Sequence, residues 1–242
     1  MPINFYGKVV EYITGQPIGG VEIEITWTDL SPNGGSKKTV SSDAQGNFNL
    51  TGVTGKGLVI QELKKDGYIR SNGGSQFGFE YAAFFEETYH QPDPKNPVIF
   101  RMKKKTEGEP LIHRQAETTV GAGRVATVQL DQQTVLQIEL IANGDLSTKN
   151  WSARVTMSGG GIQTSTEEFP FTAPEDGYQA SLALDLTTPK PADWTDMYQG
   201  GQFYFKTASD QYGRIELKTV PGKTFKRYSL FLNPKPGSRN LE

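Results

Sequence analysis

The sequence predicts an all-β protein built as two antiparallel β-sandwich domains in tandem. Three observations carry this. Val21, Ile23, Ile25 and Trp27 alternate strictly with Glu22, Glu24 and Thr26, the period of a half-buried strand, and similar alternation recurs through the second half of the chain. The chain contains 27 Gly and 14 Pro, a composition that suits short strands joined by turns and argues against long helices. Its 242 residues are enough for two small sandwiches.

Composition also narrows function. A net charge of −2 with both signs dispersed creates no field for holding nucleic acid or an anionic membrane. No apolar run approaches the roughly 18–20 residues that cross a bilayer, so no membrane insertion is expected. Cysteine is absent, which removes disulfides, thiolate nucleophiles and sulfur-ligated metals together. The opening MPINFYGKVV reads as a first strand rather than a basic-then-apolar export signal.

Phe5 to Tyr12 forms that strand, and the turn-rich TGQPIGG ends it. The strand from Val21 to Trp27 follows, with Trp27 continuing the core face, then a short one from Lys37 to Ser41. SSDAQGNFNL, Ser41 to Leu50, reads as a hairpin. Asp43 opens a type I turn, Gly46 closes it at positive φ, and Phe48 and Leu50 share a face. Gly57 to Leu63 is another strand. Between Ile69 and Pro97 lies a long insertion carrying six aromatics. Phe77, Phe79 and Tyr81 have strand spacing, whereas Tyr81, Phe85 and Tyr89 have helical spacing. A short helical or irregular segment is therefore expected near 72–96, with helical turns around Ala82–Thr88. The insertion either caps an end of the sandwich or docks on the second domain, or it offers Phe79, Phe85 and Tyr89 as an aromatic ligand site. Val98 to Lys105 closes the first domain, and TEGEP is the linker. The expected domains are residues 1–105 and 106–242.

Gly7-Lys-Val-Val, Thr14-Gly-Gln-Pro-Ile-Gly-Gly-Val21, Ser42-Asp-Ala-Gln-Gly-Asn-Phe48 and Asp66-Gly-Tyr68 occur in the order and spacing of one family. On these motifs the first domain resembles the carboxypeptidase regulatory-like domain, over residues 3 to about 70 with Val98–Lys103 as the final strand. The resemblance implies a transthyretin-like, seven-stranded, carbohydrate-binding-like sandwich. It also implies a non-catalytic accessory module that is secreted, periplasmic or cell-surface, its export signal absent from this sequence. The long insertion departs from the family pattern.

The second domain shows no family signature. Ala126, Val128 and Leu130 alternate, as do Leu136, Ile138 and Leu140, and Trp151, Ala153, Val155 and Met157. Tyr178 to Leu186, Phe203–Lys206, Tyr212–Val220 and Tyr228–Leu232 add further strands, separated by GGG, APEDG, TTPKPAD, ASDQYG and VPGK. A jelly-roll or immunoglobulin-like sandwich is expected.

No nucleophile elbow, phosphate loop, dinucleotide fingerprint or zincin helix occurs in the sequence. His90 lies four residues after Glu86, so on a helix the two would form half of a metal site, but no second half is evident. His113, beside Arg114, suits an exposed linker. Asp193, Trp194, Asp196 and Tyr198 form the most site-like cluster, an aromatic between acids suited to sugar stacking or to a loop-bound calcium. Lys8, Glu62 and Asn96 are candidates for an isopeptide cross-link. No cofactor and no metal are expected. The expected function is a non-enzymatic extracytoplasmic binding or accessory protein, its partner a carbohydrate or a protein surface. A structural spacer without a ligand and a carboxylate-using glycan-active enzyme are the alternatives.

Overall fold

The computed structural model describes residues 1–31, 34–70, 77–82, 89–119, 125–142, 151–185, 199–219 and 225–242. The chain is all-β, with no helix among the described residues. It divides into two units, Met1–Thr106 and Glu107–Glu242. No helix of the described residues is long and apolar enough to cross a membrane.

In the first unit, β1 (Pro2–Glu11), β4 (Asn47–Thr54), β8 (Val98–Lys104) and β6 (Tyr68–Arg70) form one sheet in the order β4-β1-β8-β6. A second sheet combines β2 (Glu22–Trp27), β3 (Ser36–Ser41), β5 (Gly57–Lys64) and β7 (Gly78–Glu80) in the order β3-β2-β5-β7. The alternating residues of both sheets meet in one core. Ile3, Phe5, Val9, Phe48, Leu50 and Phe100 come from the first sheet, and Ile23, Ile25, Leu58, Ile60 and Phe79 from the second. Trp27 is half-buried at the margin of this core.

Two expectations change here. β1 and β8 pair in parallel, Gly7 opposite Val98 and Glu11 opposite Met102, so the sheet is mixed rather than wholly antiparallel. A parallel neighbour needs a long return connection, and here β2 to β7 all lie between β1 and β8 along the chain. The stretch Ser41–Leu50 is not a hairpin, because β3 belongs to one sheet and β4 to the other. The turn itself forms as expected: Asp43 Oδ1 accepts from the amides of Gln45 and Asn47 at 2.9 and 2.8 Å, and Gly46 has φ +79°. A side chain on Gly46 would lie 2.4 Å from the Val9 carbonyl, which already accepts from the Ile18 amide. Ser42, buried, donates its hydroxyl to Ile18 O at 2.8 Å and accepts from the Val21 amide at 3.0 Å. These bonds turn the chain over the end of the sandwich.

The second unit is also a sandwich. One sheet has the order β10 (Val125–Gln129), β11 (Val135–Ala142), β12 (Trp151–Ser158) and β14 (Ser181–Asp185). The other runs β13 (Gly160–Ser165), β15 (Gln199–Thr207), β16 (Tyr212–Thr219), β17 (Phe225–Leu232) and β9 (Ile112–Thr119). Val128, Leu136, Ile138, Val155 and Met157 of the first meet Ile162, Phe203, Phe205, Ile215, Leu217 and Leu230 of the second. Two strands stand where loops were expected, β9 at the linker and β13 in the glycine run. Glycine is needed in β13 because Tyr178 Cβ lies 2.7 Å from where a Gly161 side chain would begin.

Candidate functional site on the outer face of the five-stranded sheet

The residues singled out by sequence separate into three groups. Asp193, Trp194, Asp196, Tyr198, Phe85 and Glu86 lie outside the described residues, as do the expected helical turns from 83 to 88. Phe79 is not a ligand platform. It is 3% exposed, its ring 4.7 Å from that of Phe5, because the period-two spacing of Phe77, Phe79 and Tyr81 turns Phe79 inward. Tyr89 is exposed.

His90 is not placed as a ligand either. Its ring packs against Phe5, Phe79 and Tyr81, with centroids 5.4, 5.0 and 5.5 Å away, and its amide donates to Glu80 O at 2.8 Å. Burial pushes the imidazole pKa below its ordinary value. Tyr81 donates to Asn4 O at 2.7 Å, and burial raises its phenol pKa. These aromatics close an end of the first sandwich, so the described part of the insertion serves its own core. No group of three metal-ligating side chains occurs among the described residues. The isopeptide geometry is absent: Glu62 is exposed on the sheet opposite Lys8, and Asn96 Nδ2 donates to Asp93 at 2.6 Å.

A different cluster emerges in the second unit. Strand alternation turns Ile215, Leu217, Leu230 and Leu232 inward, so Arg214, Phe231 and Tyr204 point outward. The register sets Tyr204, Arg214, Phe231 and His113 side by side across four strands. The Arg214 guanidinium lies 3.8 Å from the Phe231 ring centroid and 5.2 Å from that of Phe171. His113 stacks on Phe231 at 4.3 Å with 10° between the planes, and it is the exposed end of the row. Each cation–π contact contributes about 0.5–2 kcal/mol, more as water is excluded. Burial lowers the Arg214 pKa to about 10, against the opposing charges of Glu216 and Tyr204.

Two residues along the same face runs a polar row of Gln115, Ser229, Glu216 and Gln202. His113 Nε2 is 3.0 Å from Ser229 Oγ and ties the rows together. Gln202 Oε1 is buried and finds no hydrogen-bond partner. At the far side of the face Tyr204 donates to Glu167 Oε2 at 2.7 Å. A ring face beside amide, hydroxyl and carboxylate groups suits a ligand with both a flat apolar face and many hydroxyls.

Sequence reasoning missed this face because it took His113 for a linker residue. The available signal was Phe231, an aromatic set out of phase with Tyr228, Leu230 and Leu232.

No family model matches the chain, and no curated protein matches it. Among solved structures it is similar to a DUF3823 family protein from Bacteroides ovatus. The identity is 10% and the TM-score 0.26, over 94% of this chain and 97% of that one. A likeness that slight carries no argument about fold or function.

Proposed function

We propose that this is a non-catalytic extracytoplasmic binding protein that takes a carbohydrate on the outer face of its second unit. The observation that carries this reading is the cross-strand row ending in the exposed His113 ring beside Gln115 and Ser229. Pyranose rings present C–H groups to an aromatic face and hydroxyls to neighbouring amides and hydroxyls, which is the pairing this surface offers. The dispersed charge of the chain favours a neutral glycan over a polyanion. The first unit is read as a regulatory-like sandwich, supported by its two-sheet architecture and by the turn around Asp43 and Gly46. In this reading it is an accessory module rather than a ligand site.

Binding of soluble neutral polysaccharides and a glycan array to the whole chain tests the reading. Binding is expected to weaken at least tenfold in His113→Ala, an exposed position whose loss leaves the thermal midpoint within about 1 °C. Silence across the array, or a His113→Ala protein that binds as the parent does, would refute it.

A further inference from the structure

We infer that the C-terminal tail is a clasp that fixes the start of the second unit and so sets the slack between the two units. The tail, residues 233–242, follows β17 and is held by a dense set of bonds. Asn233 is 1% exposed, and its Nδ2 lies 2.8 Å from Glu109 Oε2, 3.2 Å from Ser238 Oγ and 2.7 Å from Asn240 O. Its Oδ1 accepts from the Lys235 amide at 3.0 Å. Leu241 is fully buried among Ala173, Tyr204 and Tyr212 on the outer side of the five-stranded sheet. Its amide donates to Phe171 O at 2.8 Å, and its carbonyl accepts from Arg214 Nε at 3.2 Å. Ala173 N donates to Arg239 O at 2.9 Å.

Anchored this way, the tail holds residues that precede β9. Asn240 Nδ2 donates to Glu107 O at 3.1 Å, and Asn233 and Lys235 hold the Glu109 carboxylate. Gly108 passes so close that a side chain there would lie 2.8 Å from Glu242 O. On the other side, Lys105 is tied to the first unit through its amide, which donates to Gly67 O at 2.8 Å. With the clasp closed, one residue, Thr106, separates the two anchored positions. With it open, the connection runs from Lys105 to the start of β9 at Ile112, with the six residues Thr106 to Leu111 between them, and loop entropy rises accordingly. Residues 233–242 therefore set how much of the connection is held, although they follow it by well over 100 residues in sequence.

Asn240→Ala and Glu109→Ala each remove one side of the clasp and leave Leu241 in place. Backbone ¹⁵N relaxation on the whole chain is expected to give rigid order parameters, about 0.85, at residues 107–109 of the parent and values below about 0.6 in both variants. Native-state trypsin cleavage after Lys105 is expected to speed up at least tenfold. Core amide shifts of the second unit, read in the same spectra well below the melting temperature, confirm that the sandwich is intact. Residues 107–109 already mobile in the parent, or unchanged order and cleavage in both variants, would overturn the clasp.

Discussion

His90 shows how a single titratable ring can tune stability without taking part in chemistry. Its environment of Phe5, Phe79 and Tyr81 disfavours the imidazolium, so its folded pKa lies below the ordinary 6.5. The unfolded chain then binds more protons than the folded one in the window beneath 6.5. Stability contributed by this site is complete above that pH and is lost as the pH falls through the folded pKa. A denaturant series from pH 7.5 to 5 should show the first unit weakening on acidification, and His90→Phe should flatten that slope. An unchanged slope in the variant would assign the acid sensitivity of the first unit to other groups. The Asp131 carboxyl of the second unit, held at about 2 by the backbone amides of Gln133 and Thr134 despite the opposing effect of burial, titrates below this pH range.

At the scale of elements, the corner between β3 and β4 is the informative case. The turn chemistry of Asp43 and Gly46 was legible in the sequence, because it depends on residues within a few positions of each other. Which sheet each strand joins was not legible, because Ile18 and Val21 decide it through Ser42 from 24 and 21 residues away. Ser42→Ala should leave the Val21 amide without its buried acceptor. The expected cost is about 1–3 kcal/mol, seen as a fall of several degrees in the melting temperature of the first unit. A loss under about 0.3 kcal/mol would mean that the corner is held by its backbone bonds alone. The same limit explains β9 and β13. Period-two burial announces a strand only when one face is apolar, and IHRQAETT has no such face. GGIQTS hides a strand behind glycines required by the close approach of Tyr178. The candidate face went unread for this reason, since it is assembled by register across strands far apart in sequence.

Among the described residues each unit has a main core filled from its own pair of sheets, and the second adds a small cluster of Ala173, Tyr204, Tyr212 and Leu241 outside its five-stranded sheet. Each has the apolar layer that a sandwich of about 100 residues needs to fold alone. A fragment of residues 1–106 should therefore melt cooperatively by calorimetry and give dispersed amide resonances. A fragment that stays unfolded would show that the first unit borrows stability from the second.

In the second unit, β9 opens the chain and β17 nearly closes it, yet the two are hydrogen-bonded neighbours from Ile112 opposite Leu232 to Thr119 opposite Phe225. Among the described strand pairs of the unit this pairing closes the largest loop, which gives it a high contact order. During synthesis the earlier sandwich can settle while the later one still waits for its last strand to clear the ribosome tunnel. Until then β9 has no neighbour in its sheet, and an unpaired edge is where aggregation begins. Nascent chains stalled before residue 225 would be the form of this protein most in need of a chaperone.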